Sequence, residues 1–112
     1  MTVRISKTLQ VVEREQWRKW LQENYLTEKE IWLVYYKKDT GKPTISYDAS
    51  VEEALCFGWI DTNVQRIDDE RYGRRFSPRK PGSAYARSNK ERLRRLAAQG
   101  RVVPSVLLDL GE

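Results

Sequence analysis

Any chemistry in this 112-residue sequence has to come from arginine, lysine, carboxylates and aromatic rings, because it contains no histidine and a single cysteine. The lack of histidine excludes an imidazole metal site, a Ser-His-Asp triad, a Cys-His dyad and any His proton shuttle. Cys56 lies between Leu55 and Phe57. A reactive thiol needs a lowered pKa and usually an adjacent base, so Cys56 is expected to be a small buried hydrophobe. One cysteine forms no internal disulfide, and zinc sites usually need several Cys or His ligands. No metal and no cofactor are expected.

Two groups of residues carry more chemical information. Gly58-Trp59-Ile60-Asp61 follows a helical pattern and precedes a hairpin rich in arginine. In a polar pocket Trp59 would offer a stacking face and Asp61 an acceptor, while Arg66, Arg75 and Arg79 would bind a carboxylate or phosphate bidentately. The structural alternative is that Asp61 braces its own turn and pairs with one arginine. The second group is Arg74-Arg75-Phe76-Ser77-Pro78-Arg79-Lys80. Basic residues interleaved with Tyr72 and Phe76 suit single-stranded nucleic acid, unless the two rings face the core. The acidic pairs suggest no acid/base work: Glu52-Glu53 fits a helix's first turn, and Asp68-Asp69-Glu70 a turn tip.

These residues need elements to hold them. Trp17, Trp20, Leu21 and Tyr25 recur on one face of a helix over about residues 12–25. Residues 30–38 alternate apolar groups on both faces, which predicts a central strand covered on both sides. A turn at 39–43 leads to a possible short strand over 45–47. Ser50-Val51-Glu52-Glu53 and Ser88-Asn89-Lys90-Glu91 each have the form of a capping box opening a helix. Residues 63–67 and 71–77 read as a hairpin with an acidic tip. Tyr72, Arg74 and Phe76 share one face of its second strand, and Arg71, Gly73 and Arg75 the other. The 78–83 segment is a stiff loop. The helix after it packs through Leu93, Leu96 and Ala97, and Gly100 ends it. Pro104 opens a last short helix whose apolar tail docks on the domain or on a second subunit. The expected fold is α+β: one compact domain, 1–112, with a small antiparallel or mixed sheet and a β-hairpin packed by three or four helices.

Charge is unevenly spread. Residues 1–61 carry 9 basic and 10 acidic residues, a net −1. Residues 62–101 carry 12 basic and 4 acidic residues, a net +8. Asp109 and Glu112 make the remainder net −2. The asymmetry suggests an anionic small molecule or an acidic protein surface as partner, with nucleic acid as the alternative. Residues 1–7 lack a leader's apolar stretch, and the runs 31–36 and 54–60 are too short to span a bilayer, so a cytoplasmic protein without membrane insertion is expected.

Several of these blocks, in order, resemble the YdeI/OmpD-associated (bacteriocin-protection) family. They are Trp17-Arg18-Lys19-Trp20-Leu21, Ile31-Trp32-Leu33-Val34 with Lys37-Lys38, and Ile45-Ser46-Tyr47-Asp48. Glu53-Ala54-Leu55-Cys56-Phe57-Gly58-Trp59-Ile60-Asp61 is the most distinctive. The 75–83 block and Asn89-Lys90-Glu91-Arg92 complete the pattern, although Tyr85 stands where that family usually has Trp. The resemblance implies a bacterial stress or envelope-protection setting and no particular reaction. The expected function is a non-catalytic domain that binds an anionic partner, with candidate ligand-binding residues Trp59, Asp61, Arg66, Arg75, Arg79, Lys80, Ser83 and Asn89. A small enzyme built on Asp61 with Arg75 or Arg79 is a further alternative.

Overall fold

The computed structural model describes residues 4–110, so Met1 to Val3 of the N-terminal segment and Glu112 of the acidic tail lie outside the described residues. Thr8–Gln10 form a short strand, β1, that the sequence reading missed. It runs parallel to β2 (Ile31–Tyr36), which in turn pairs antiparallel with β4 (Arg71–Pro78), itself antiparallel to β3 (Trp59–Arg66). The sheet order is therefore β1-β2-β4-β3, a mixed sheet with β2 and β4 inside it. The hairpin closes through Asp68-Asp69-Glu70, and its register shifts between Asp61 and Asn63, a bulge that leaves Thr62 out of step.

Helices α1 (Arg14–Asn24), α2 (Tyr47–Cys56), α3 (Arg87–Ala98) and α4 (Pro104–Asp109) cover one face. The sheet's inward residues Leu33, Tyr35, Trp59 and Phe76 share one core with Trp17, Leu21, Leu55, Leu93, Leu96 and Val106. Aromatic rings run through it: Trp17 lies edge-on to Phe76 at 5.3 Å, and Trp20 edge-on to Trp59 at 5.7 Å. This is an α+β domain with helices on one side of a small mixed sheet.

The sequence pattern of β2 implied cover on both faces. Trp32 and Val34 are indeed buried, at 0% and 4% exposure, but no helix packs over them. Side chains do it instead. A Cβ on Gly73 would lie 3.2 Å from the Trp32 ring and within 3.7 Å of Ile67 and Ile5, so any side chain there would press on that ring.

Several local expectations fail because α2 and α3 start earlier than the capping-box patterns imply. Residues 45–47 form no strand: Ser46 is the N-cap of α2, its hydroxyl accepting from the Ala49 N–H at 3.1 Å. That start moves Ser50 into the helix interior, where its hydroxyl accepts from Tyr35 at 2.7 Å rather than capping anything. Glu52 and Glu53 consequently leave the first turn for the buried middle of α2. Helix α3 likewise starts earlier, with Ala86 as its N-cap and no side-chain cap, so Ser88 lies within the first turn. Gly58 then ends the α2 turn at φ 76°, a left-handed position that glycine occupies without strain. Pro104 opens α4 as expected, and Val106 docks the tail on the core while Leu108 stays 83% exposed.

Candidate anion-binding groove

Strand alternation builds the site. Arg75 and Ser77 share the face of β4 turned away from the helices, and Ile60, registered opposite Ser77, brings β3 alongside. The bulge sets Thr62 within reach of Arg75, whose Nη1 donates to Thr62 Oγ1 at 3.0 Å. Past the end of β4 the chain turns back: the Arg79 N–H donates to the Gly58 carbonyl at 2.9 Å, and the Ser83 N–H to the Lys80 carbonyl at 3.2 Å. Lys29, from the loop before β2, closes the other side. The result is a groove of about 550 Å³ lined by Lys29, Ile60, Thr62, Arg75, Ser77, Arg79, Lys80 and Ser83, among others.

The two arginines are braced. Arg75 places Nε and Nη2 on one Glu30 oxygen, at 3.0 and 2.8 Å. The Ser6 hydroxyl and Arg75 together hold the Glu30 carboxyl below its ordinary pKa. Arg79 is gripped on three sides. Its guanidinium carbon lies 3.4 Å from the centroid of Tyr85, Nη2 donates to the Ser83 carbonyl at 2.7 Å, and Nη1 reaches Asp109 at 3.3 Å. Tyr85 also donates to Asp109, at 3.2 Å. Lys29 and Lys80 have no ion-pair or hydrogen-bond partner for their ammonium groups among the described residues. Beyond the 79–84 loop a second hollow of about 340 Å³ is lined by Tyr85, Lys90, Arg94 and Asp109. Basic groups therefore flank the loop on both sides.

Of the residues singled out in the sequence, Arg75, Arg79, Lys80 and Ser83 meet in the groove. The others do not. Trp59 offers no stacking face: it is 1% exposed, and its ring nitrogen donates to the Tyr25 carbonyl at 3.3 Å. Asp61 lies on the helix-covered side of the sheet, paired with Arg74 at 3.2 Å and accepting from Tyr47 at 3.3 Å. Trp59 and Asp61 thus point to the face opposite Arg75, since the strand period of two separates them from Ile60, which lines the groove. Arg66 stays at the hairpin tip with Asp69, and Asn89 accepts from Arg92 at 3.1 Å on α3. Phe76 is fully buried and closed to a base, while Tyr72, half-buried, has one face stacked on Tyr35 at 5.2 Å and lies on the helix-covered side of the sheet, away from the groove. Lys29, Thr62 and Ser77 were missed. Ser77 was legible, two residues beyond Arg75 on the same strand face; Lys29 was not, because only the tertiary fold brings it there.

Cys56 has no exposed surface, and burial pushes its thiol up to about 11. Among the described residues no three His, Cys, Asp or Glu side chains gather to hold a metal ion, and no helix is long and apolar enough to cross a membrane.

A sequence profile described as a domain of unknown function (DUF8412) matches residues 9–108, nearly the whole chain. The chain belongs to the DUF8412 family. The DUF8412 match takes in all four strands but for Thr8, the groove and every candidate residue above. No curated protein and no solved structure matches the chain.

Proposed function

We propose that this protein is a non-catalytic binding domain that takes an anionic ligand, or an acidic group of a protein partner, in the groove beside the 79–84 loop. The convergence of Lys29, Arg75, Arg79 and Lys80 on one concave surface carries this reading, with Glu30 and Asp109 as the counter-charges that pair with the arginines. The two braced arginines supply fixed, planar donors, and the two unpaired lysines supply charge that an incoming anion can neutralise. The net +8 of residues 62–101, from 12 basic and 4 acidic residues, attracts such a ligand over a longer range.

Nucleic acid is the weaker reading, since Trp59 and Phe76 are buried and the face of Tyr85 is taken by Arg79. An enzyme built on Asp61 lacks its arginines, because Asp61 and Arg75 lie on opposite sides of the sheet. The exposed Leu108 supports self-association through the C-terminal tail as a subsidiary part of the proposal. On motif resemblance alone we propose a bacteriocin-protection-like setting, and on the shortness of the apolar runs 31–36 and 54–60 a cytoplasmic one.

The test is calorimetric titration of the chain and of a Lys29→Ala/Lys80→Ala variant with pyrophosphate and with citrate at low salt. The expected result is binding that weakens at least about tenfold in the variant, with unchanged circular dichroism. Equal affinity in the two proteins would remove the groove as the site.

A further inference from the structure

Ser77 is a buried polar residue without a protein partner. It is 8% exposed, it lines the groove, and its hydroxyl has no hydrogen bond among the described residues. The oxygen is open to the groove and not sealed from solvent, so it is a donor that a ligand acceptor can meet. Beside it Thr62 Oγ1 accepts from Arg75, which leaves the Thr62 proton free to donate outward. Arg75 spends three of its five N–H groups on Glu30 and Thr62, leaving two.

Resting on the anion-groove reading, we infer that Ser77, with Thr62, Arg75, Lys29 and Lys80 around it, receives the phosphoryl group of a compact phosphomonoester. A phosphoryl group brings three terminal oxygens and a charge of roughly −1.5 to −2 at neutral pH. That matches two hydroxyl donors, two spare guanidinium N–H groups and two ammonium groups without carboxylate partners. A carboxylate, with two oxygens and one charge, leaves part of this set unpaired. The groove's volume of about 550 Å³ falls within the size of small-molecule sites. Ile60 and Ala84 in its wall give the ligand body apolar contact. Glu30 and Asp109, held in place by Arg75 and Arg79, interrupt the basic surface and repel a continuous polyanionic backbone.

The experiment compares phenyl phosphate with benzoate, two ligands with the same apolar body, binding to the full chain and to Ser77→Ala and Ser77→Thr variants. Phenyl phosphate is expected to bind about tenfold tighter or more; Ser77→Ala loses that preference and Ser77→Thr, which restores a hydroxyl, keeps it. Equal affinities, or a preference unchanged by Ser77→Ala, overturn the inference. So does an oligothymidylate that binds more tightly with length than thymidine monophosphate. Where both ligands bind alike and both are lost in Lys29→Ala/Lys80→Ala, the groove reading stands and the phosphoryl assignment alone falls. Where neither binds, both fall.

Discussion

Arg18 donates to Glu53 at 2.9 Å although the Glu53 side chain has no exposed surface. The same carboxylate takes Arg101 at 2.9 Å and lies 3.1 Å from Arg14 Nε, close enough for ion pairing but not aligned for a hydrogen bond. Arg18 also donates to the Arg101 carbonyl at 2.8 Å. Three cations from α1 and from the turn after α3 thus close over one anion in α2. Chain segments separated by more than eighty residues are tied at a single buried point.

Removing that anion is expected to be severe. Glu53→Ala leaves three arginines facing a buried gap and should cost about 3–5 kcal/mol, since breaking one side of a buried ion pair strands the other. Urea unfolding of the variant measures it. Arg14→Ala, at a side chain 37% exposed, should cost clearly less. Equal losses would mean that Glu53 matters through packing, not charge.

Arg79 is expected to behave as a latch for α4. Arg79→Ala releases Asp109 and uncovers Tyr85, so amide exchange across Val106–Leu110 should quicken about tenfold. Lys80→Ala, which removes a cation from the groove but no contact to α4, should leave that exchange unchanged. The contrast separates bracing from ligand binding along one loop.

The thiol of Cys56 should be silent in the folded protein. With its pKa pushed up to about 11 and no exposed surface, little thiolate forms at pH 8. Alkylation by iodoacetamide is expected to be at least about a hundredfold slower than in denaturant, as followed by mass spectrometry. Rapid native labelling would mean that α2 opens readily.

Asp68 at the hairpin tip is expected to titrate far below ordinary carboxylates. The Arg71 side chain and the Glu70 and Arg71 N–H groups hold it at about 2. Because the folded value is the lower one, its contribution to stability is complete above the unfolded pKa of about 3.9 and disappears as pH falls through about 2. Carbon-detected NMR of the carboxyl should show this midpoint, and Arg71→Gln should raise it. An unchanged midpoint in Arg71→Gln would assign the effect to the turn backbone alone.

The sequence by itself determined the parts governed by local rules. The faces of α1 and α3, the apolar run of β2, the hairpin with its acidic tip and the Pro104 start all follow from periodicity and turn chemistry, which act over a few residues. Alternation along β4 also put Arg75 and Ser77 on one face. What the tertiary structure alone decided is which side that face is on and what meets it. Asp61 follows Trp59 to the helix-covered side, and Lys29 arrives from a loop more than forty residues away in sequence. Glu52 and Glu53 carry the charge of solvent-facing residues, yet they are buried because arginines from other segments neutralise them there. Nothing in a local pattern encodes such a partner, since the energy that buries the carboxylate exists only once the distant cation is in place.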